Sequence, residues 1–347
     1  MTAARPLRAA LAAMLLLGTA PGAHAQHTTY YDRPVPMGVS VSTSPSAPFL
    51  FTGTAGMLVS QPGLPAIKFI LSNNHVIGAG PPRLCPDTAP QWARVVQPGT
   101  LDLGFDPYGD RHFVVGYLFR AVPIQFGLEG DNLVDAAIAF TMPALAQEKI
   151  KGIGEPTPGI GYAAPGMSVM KSGRTTGVTF DVIESVNATV LVSYGPCGIA
   201  RFSQQAVTAG PLGEAGDSGS AVLDSQSRVP VGLYFAGGPT SGILNQIVNV
   251  YEQLGVVVSS AADAAAIAAP ARSAAMLRLE EIQARHEKRI LNVRGVNGIG
   301  IGRRGGDADL GFVVYAESLT DEVRRGVPDS LEGVRVRLRE SGPFRAH

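Results

Sequence analysis

Three side chains in this sequence have the types and order needed to open an acyl bond. Ser218 lies in Gly216-Asp217-Ser218-Gly219-Ser220. A serine hydroxyl is a weak nucleophile until a base removes its proton. Glycines on both sides let the backbone turn sharply, so the amides of Gly216 and Ser218 can face one oxyanion, at about 2.7–4 kcal/mol per donor. Asp and Ser beside Gly also describe ordinary turns, and the tetrapeptide alone leaves both readings open. A base must come from the six histidines. His24, His27 and His347 are near-terminal, and His286 falls on a charged helical face. His112 opens an apolar strand and reads as a half-exposed strand residue. His75 ends Ile70-Leu71-Ser72-Asn73-Asn74-His75-Val76, where a buried strand breaks. Asp135 is a carboxylate inside the apolar run from Val134 to Phe140. An unpaired buried carboxylate costs several kcal/mol, so it needs an imidazole N–H or a set of backbone amides. The order His75, Asp135, Ser218 is one of the chain orders in which this triad occurs.

These residues must be positioned by strands. Short apolar runs separated by turn signals fill the chain from Phe49 to about Ala139, including Thr54 to Ser60, Ile67 to Ser72, His112 to Leu118 and Val134 to Phe140. The style repeats at Val178 to Ile183, Ala188 to Tyr194, Ser220 to Asp224 and Val229 to Phe235. Two β-rich halves, near 40–150 and 160–250, predict paired six-stranded barrels. Ile247 to Val258 reads as a closing helix with a strand-like end, and residues 259–272 as an Ala-rich linker. From Ser273 to Leu291, apolar Met276, Leu279, Ile282 and Ile290 recur among charges, the pattern of an amphipathic surface helix. Glycine-punctuated strands and a second helix from Thr320 to Arg325 make residues 273–347 a small α+β module.

Composition narrows the function classes. The chain has 347 residues, 45% hydrophobic and 16% charged, with zero formal net charge. That excludes a disordered polyelectrolyte and gives no electrostatic case for nucleic acid or an anionic membrane. Residues 271–347 hold 14 of the 28 Lys+Arg and 11 of the 28 Asp+Glu. Residues 26–270 hold 12 and 17, so the two segments carry +3 and −5. The basic side chains of the module are expected on a solvated face. Arg5 and Arg8 precede an apolar run from Ala9 to Ala20, and Ala23-His24-Ala25 is a small-x-small cleavage site. Residues 1–25 therefore read as a cleavable signal peptide of a secreted or periplasmic protein. Cys85 and Cys197 are the two cysteines, and spacing leaves their pairing open. There is no zinc-ligand pattern, and no cofactor or metal is expected.

The set Thr54-Ala55-Gly56, Leu71 to Val76, Gln97-Pro98-Gly99, Val134 to Ile138, Lys171 to Gly177, Gly216 to Ser220 and Val231 to Gly237, in this order, resembles the chymotrypsin-fold (trypsin-like) serine peptidases. It is most similar to a bacterial branch that also resembles the plant narrow-leaf type proteins. The resemblance implies a mainly β, two-barrel chymotrypsin-like fold over residues 26–258, followed by the small α+β C-terminal module. It implies that His75 is the general base, Asp135 its orienting carboxylate and Ser218 the nucleophile of an endopeptidase acting on polypeptides. It also implies an oxyanion hole at Gly216 and Ser218, and a Phe235-Ala236-Gly237 strand that pairs with substrate. Val76 and Glu214 stand where animal relatives have disulfide cysteines, and no Ile-Val-Gly-Gly activation site is present. Asp217 then needs another buried cation, with Lys171 expected and Arg174 the runner-up. Leu212, six residues before Ser218, implies an uncharged residue at P1. The same residues also fit an inert barrel that binds peptides, or an esterase. The module could contact the peptidase domain and cover its cleft.

Overall fold

Short strands bounded by glycine and proline close into two barrels. In the first, the sheet runs Val257–Val258, Met57–Gln61, Leu64–Ser72, Ala137–Thr141, Val114–Ala121, Arg94–Val96, Val39–Ser44, Gly53–Ala55. Gly53–Ala55 and Met57–Gln61 are one run bent at Gly56, so the ends of this sheet meet and six strands enclose Val41, Val59, Phe69, Leu71, Val95 and Ile138. In the second barrel Gly177–Ser193, Ser168–Gly173, Ala221–Asp224, Pro230–Gly238, Ser241–Gln246 and Ile199–Thr208 follow one another, and the last pairs back onto the first. The computed structural model describes residues 25–46, 48–81, 84–258, 273–303 and 309–346. The linker reading, on 259–272, lies outside them, as does the signal-peptide reading on 1–25 but for residue 25. Among the described residues no helix is long and apolar enough to cross a membrane.

The expected strands Val178 to Ile183 and Ala188 to Tyr194 are one strand, Gly177–Ser193, and two boundaries near candidate residues also differ from expectation. The strand after His112 starts at Val114, and His112 itself sits in the preceding turn, stacked on Tyr30. Asp135 lies outside its strand, which begins at Ala137. Its backbone N–H donates to Asn245 Oδ1 at 3.0 Å, and its carbonyl accepts from Asn73 Nδ2 at 2.6 Å. Side-chain amides thus take the bonds that a neighbouring strand would otherwise supply.

The 17-residue strand Gly177–Ser193 outruns what the barrel uses. Its middle pairs antiparallel with Val296–Arg303, from Ser185 opposite Gly302 to Val190 opposite Gly298. The sheet continues through Leu310–Ala316, Val334–Glu340 and Ser330–Leu331, so module and second barrel share twelve strands. The helix Ala274–Leu291 is capped by Ser273, whose Oγ accepts the Met276 N–H, and it buries Leu279, Ile282 and Ile290 as its periodicity requires. Arg337 is exposed, as expected of a solvated face, yet it pairs with Glu184 of the barrel; the more enclosed Arg339 pairs with the same carboxylate, beside the Tyr315 hydroxyl. Burying the Glu184 carboxylate against the module demands such cations. A disulfide joins Cys85 and Cys197, Cα atoms 5.9 Å apart, and so ties a first-barrel loop to a second-barrel turn.

Candidate active site

His75 sits on a single helical turn, Asn74–Ile77, where Leu64–Ser72 ends. The buried Asn74 side chain anchors this turn by donating to Asp87 Oδ1 at 2.6 Å and to the Val122 carbonyl at 2.8 Å. His75 Nδ1 lies 2.5 Å from Asp135 Oδ2, and its backbone N–H donates to Asp135 Oδ1 at 3.1 Å. The Tyr194 hydroxyl donates to Asp135 Oδ2 at 2.8 Å. With no exposure of its own, the carboxylate therefore has three donors, which offset its desolvation. Burial, and then the adjacent Asp135 charge, push the Tyr194 phenol well above its ordinary value, so it keeps its proton and remains a donor. The Tyr194 and His75 rings meet edge to face at 5.8 Å. Sequence reasoning passed over Tyr194, the last residue of an expected strand.

Ser218 is fully buried on the turn that opens at Gly216, whose φ is +97°. The turn is held against the first barrel. Thr54 N–H donates to the Ser218 carbonyl at 2.8 Å, and Thr54 Oγ1 to the Gly216 carbonyl at 2.9 Å. A Cβ on Gly56 would stand 2.2 Å from the Gly219 carbonyl, and one on Gly219 would stand 2.2 Å from the Thr54 carbonyl. Only glycines let the two barrels approach this closely. Val76, next to His75, and the Ser218 carbonyl converge on the same glycine, Gly53. The Ser218 hydroxyl donates to the Phe235 carbonyl at 3.2 Å. That carbonyl belongs to the strand Pro230–Gly238, so the hydroxyl is also tied to the second barrel.

Asp217 holds the turn from beneath. Its Oδ2 lies 3.1 Å from Lys171 Nζ and also accepts from Thr176 Oγ1 and the Glu214 N–H. Its Oδ1 accepts the N–H groups of Thr175 and Thr176. Both side chains of the ion pair are inaccessible to solvent. Burial lowers the Lys171 pKa, and Asp217 opposes that shift. Arg174 is not a partner of Asp217, because its guanidinium chelates Asp102 and so links the barrels at another point. A planar fork suits that bidentate role better than a cramped single contact. His27, set aside as terminal, is buried with Nδ1 2.9 Å from the Gly38 carbonyl, and burial lowers its pKa. Neither pattern nor spacing marks it.

Leu212 is 4% exposed and packs with Val169, Ile183, Val222 and Tyr234 in the second-barrel interior. The buried Tyr234 ring stands against Gly213 and Gly242. Glu214 is exposed. Phe235 and Ala236 are buried in the strand Pro230–Gly238, and Gly237 follows them.

No family model matches the chain, and no curated protein matches it. Solved structures do resemble it. One is a glutamic acid specific serine protease described as using a novel histidine triad in substrate binding, 18% identical, covering 65% of this chain and 100% of that one, with a TM-score of 0.45. Others are Thermobifida fusca protease A, at 17%, 65%, 98% and 0.42, and Nocardiopsis protease, at 14%, 65%, 99% and 0.43.

Proposed function

We propose that the protein is a serine endopeptidase, secreted or periplasmic, acting through His75, Asp135 and Ser218. The observation that carries this reading is the buried Asp135 carboxylate bonded to His75 Nδ1, in the barrel whose Thr54 is bonded to the Ser218 turn. In the reaction the Ser218 Oγ, turned from the Phe235 carbonyl, attacks the scissile carbonyl and passes its proton to His75 Nε2. The tetrahedral oxyanion is met by the Gly216 and Ser218 amides. Its collapse breaks the C–N bond, and the imidazolium returns the proton to the leaving amine. A water then hydrolyses the acyl-enzyme by the same route. Asp135 keeps the proton on Nδ1 and stabilises the imidazolium.

A fluorophosphonate probe tests this directly. It is expected to label the protein at Ser218 and to leave Ser218→Ala unlabelled; absence of labelling in every folded form would remove the reading. The P1 residue is uncharged in this proposal, since the position of Leu212, six residues before Ser218, carries no carboxylate and its side chain is packed in the barrel interior. In a peptide library, cleavage after Leu should outrun cleavage after Arg, and the reverse order would refute this assignment. An inert, peptide-binding barrel is the second reading, and the resting hydrogen bond from Ser218 to Phe235 favours it. The labelling experiment separates the two.

A further inference from the structure

The strand Pro230–Gly238 changes neighbours along one edge. Up to Leu233 that edge pairs with Ala221–Asp224. Beyond it, Ala236 and Gly237 pair antiparallel with Ala346 and Arg345. The opposite edge is taken by Ser241–Gln246, with Ala236 opposite Ile243 and Gly237 opposite Gly242. Both edges of Ala236–Gly237 are therefore filled, one of them by the last strand of the module. An extended peptide binding as an added strand needs the same main-chain groups.

The segment is held from both barrel and module, with Arg345 exposed. The Ser193 N–H donates to the Phe344 carbonyl at 3.0 Å, and Arg345 lies opposite Ser193 in a parallel bridge. Phe344 is 2% exposed, in a cluster with Tyr194, Phe202, Phe235 and Tyr315. Asn297 Nδ2 of the module donates to the Gly342 carbonyl at 2.7 Å. The antiparallel register runs from Gly237 toward Phe235, whose carbonyl accepts the Ser218 hydroxyl. The segment thus advances toward the nucleophile along the strand assigned to substrate. Its aromatic anchor meets the Tyr315 ring at 5.9 Å, in the cluster that also holds Tyr194, the residue that donates to Asp135.

Building on the peptidase reading above, we infer that Phe344–Ala346 is an internal occupant of the peptide-binding edge and holds the site closed to other polypeptides. The edge is accordingly selective for an extended chain with an aromatic side chain seated against Tyr315 in the cluster of Tyr194 and Phe235, followed by at least two residues whose main chains pair with Gly237 and Ala236. Tethering places the segment at an effective concentration on the order of 1 mM. A free affinity of roughly 100 μM would then keep the edge about tenfold more occupied than open.

Two variants test this. One ends the chain at Gly342; the other keeps Phe344 and carries Arg345→Pro and Ala346→Pro, which deletes the main-chain donors of the pair. Folding of each is checked by circular dichroism and thermal melting. The expected result is a fluorophosphonate labelling rate at Ser218 about tenfold or more above that of the unaltered chain. Added peptide Gly-Pro-Phe-Arg-Ala-His should slow it again, and the same peptide with Ala for Phe should not. Equal labelling rates in folded variants, together with no binding of a fluorescent form of the peptide, would overturn the inference. If no form is labelled but the peptide binds the shortened chain, the peptidase reading fails while the occupancy stands.

Discussion

Replacing Asp135 by Asn is expected to lower kcat for peptide or ester turnover by a factor on the order of 10⁴, with the fold retained. The carboxylate accepts from His75 Nδ1, the His75 N–H and the Tyr194 hydroxyl. A carboxamide can satisfy only part of this set, and its NH₂ group facing Nδ1 selects the tautomer with the proton on Nε2. That imidazole cannot take the Ser218 proton. Steady-state kinetics on the folded variant checks the prediction, and a loss below tenfold would show that Asp135 does not orient the base.

The second large effect is on stability. Lys171→Met leaves Asp217 buried without its cation, and such a cut costs about 3–5 kcal/mol. The loss should appear as a lower urea midpoint with an unchanged slope. Because Asp217 also receives the Thr175, Thr176 and Glu214 amides, its displacement would loosen the Gly216–Ser218 turn and cut labelling of Ser218 as well. Adding Asp217→Leu should recover much of the stability, since replacing both members of a buried pair by apolar groups is often neutral. It should not restore labelling. Unchanged unfolding in Lys171→Met would mean that water reaches Asp217.

The barrels were legible because each strand carries its own alternation and its own turn residues. The module was legible for a similar reason. Its helix shows a 3.6-residue apolar period, and glycines at 298, 300 and 302 share one face of a strand, where a Cβ on Gly302 would lie 2.5 Å from the Glu184 carbonyl. The chemistry-bearing residues stood out by type, yet their surroundings did not. Asp135 lies outside its strand because two asparagines, Asn73 and Asn245, supply its backbone bonds from distant parts of the chain. Tyr194 reaches Asp135 across 59 positions, and nothing local distinguishes it from any strand-ending tyrosine. Lys171 was the expected partner of Asp217 on resemblance alone, with Arg174 three residues on as the runner-up; packing sends Arg174 to Asp102 and Lys171 to Asp217.

The shared sheet has a consequence for synthesis. Until Val296–Arg303 leaves the ribosome, the stretch from Ser185 to Val190 presents an unsatisfied outer rim of amides and carbonyls. Such a rim recruits strands from other molecules. A nascent or prematurely terminated chain would then be prone to self-association and dependent on a holdase.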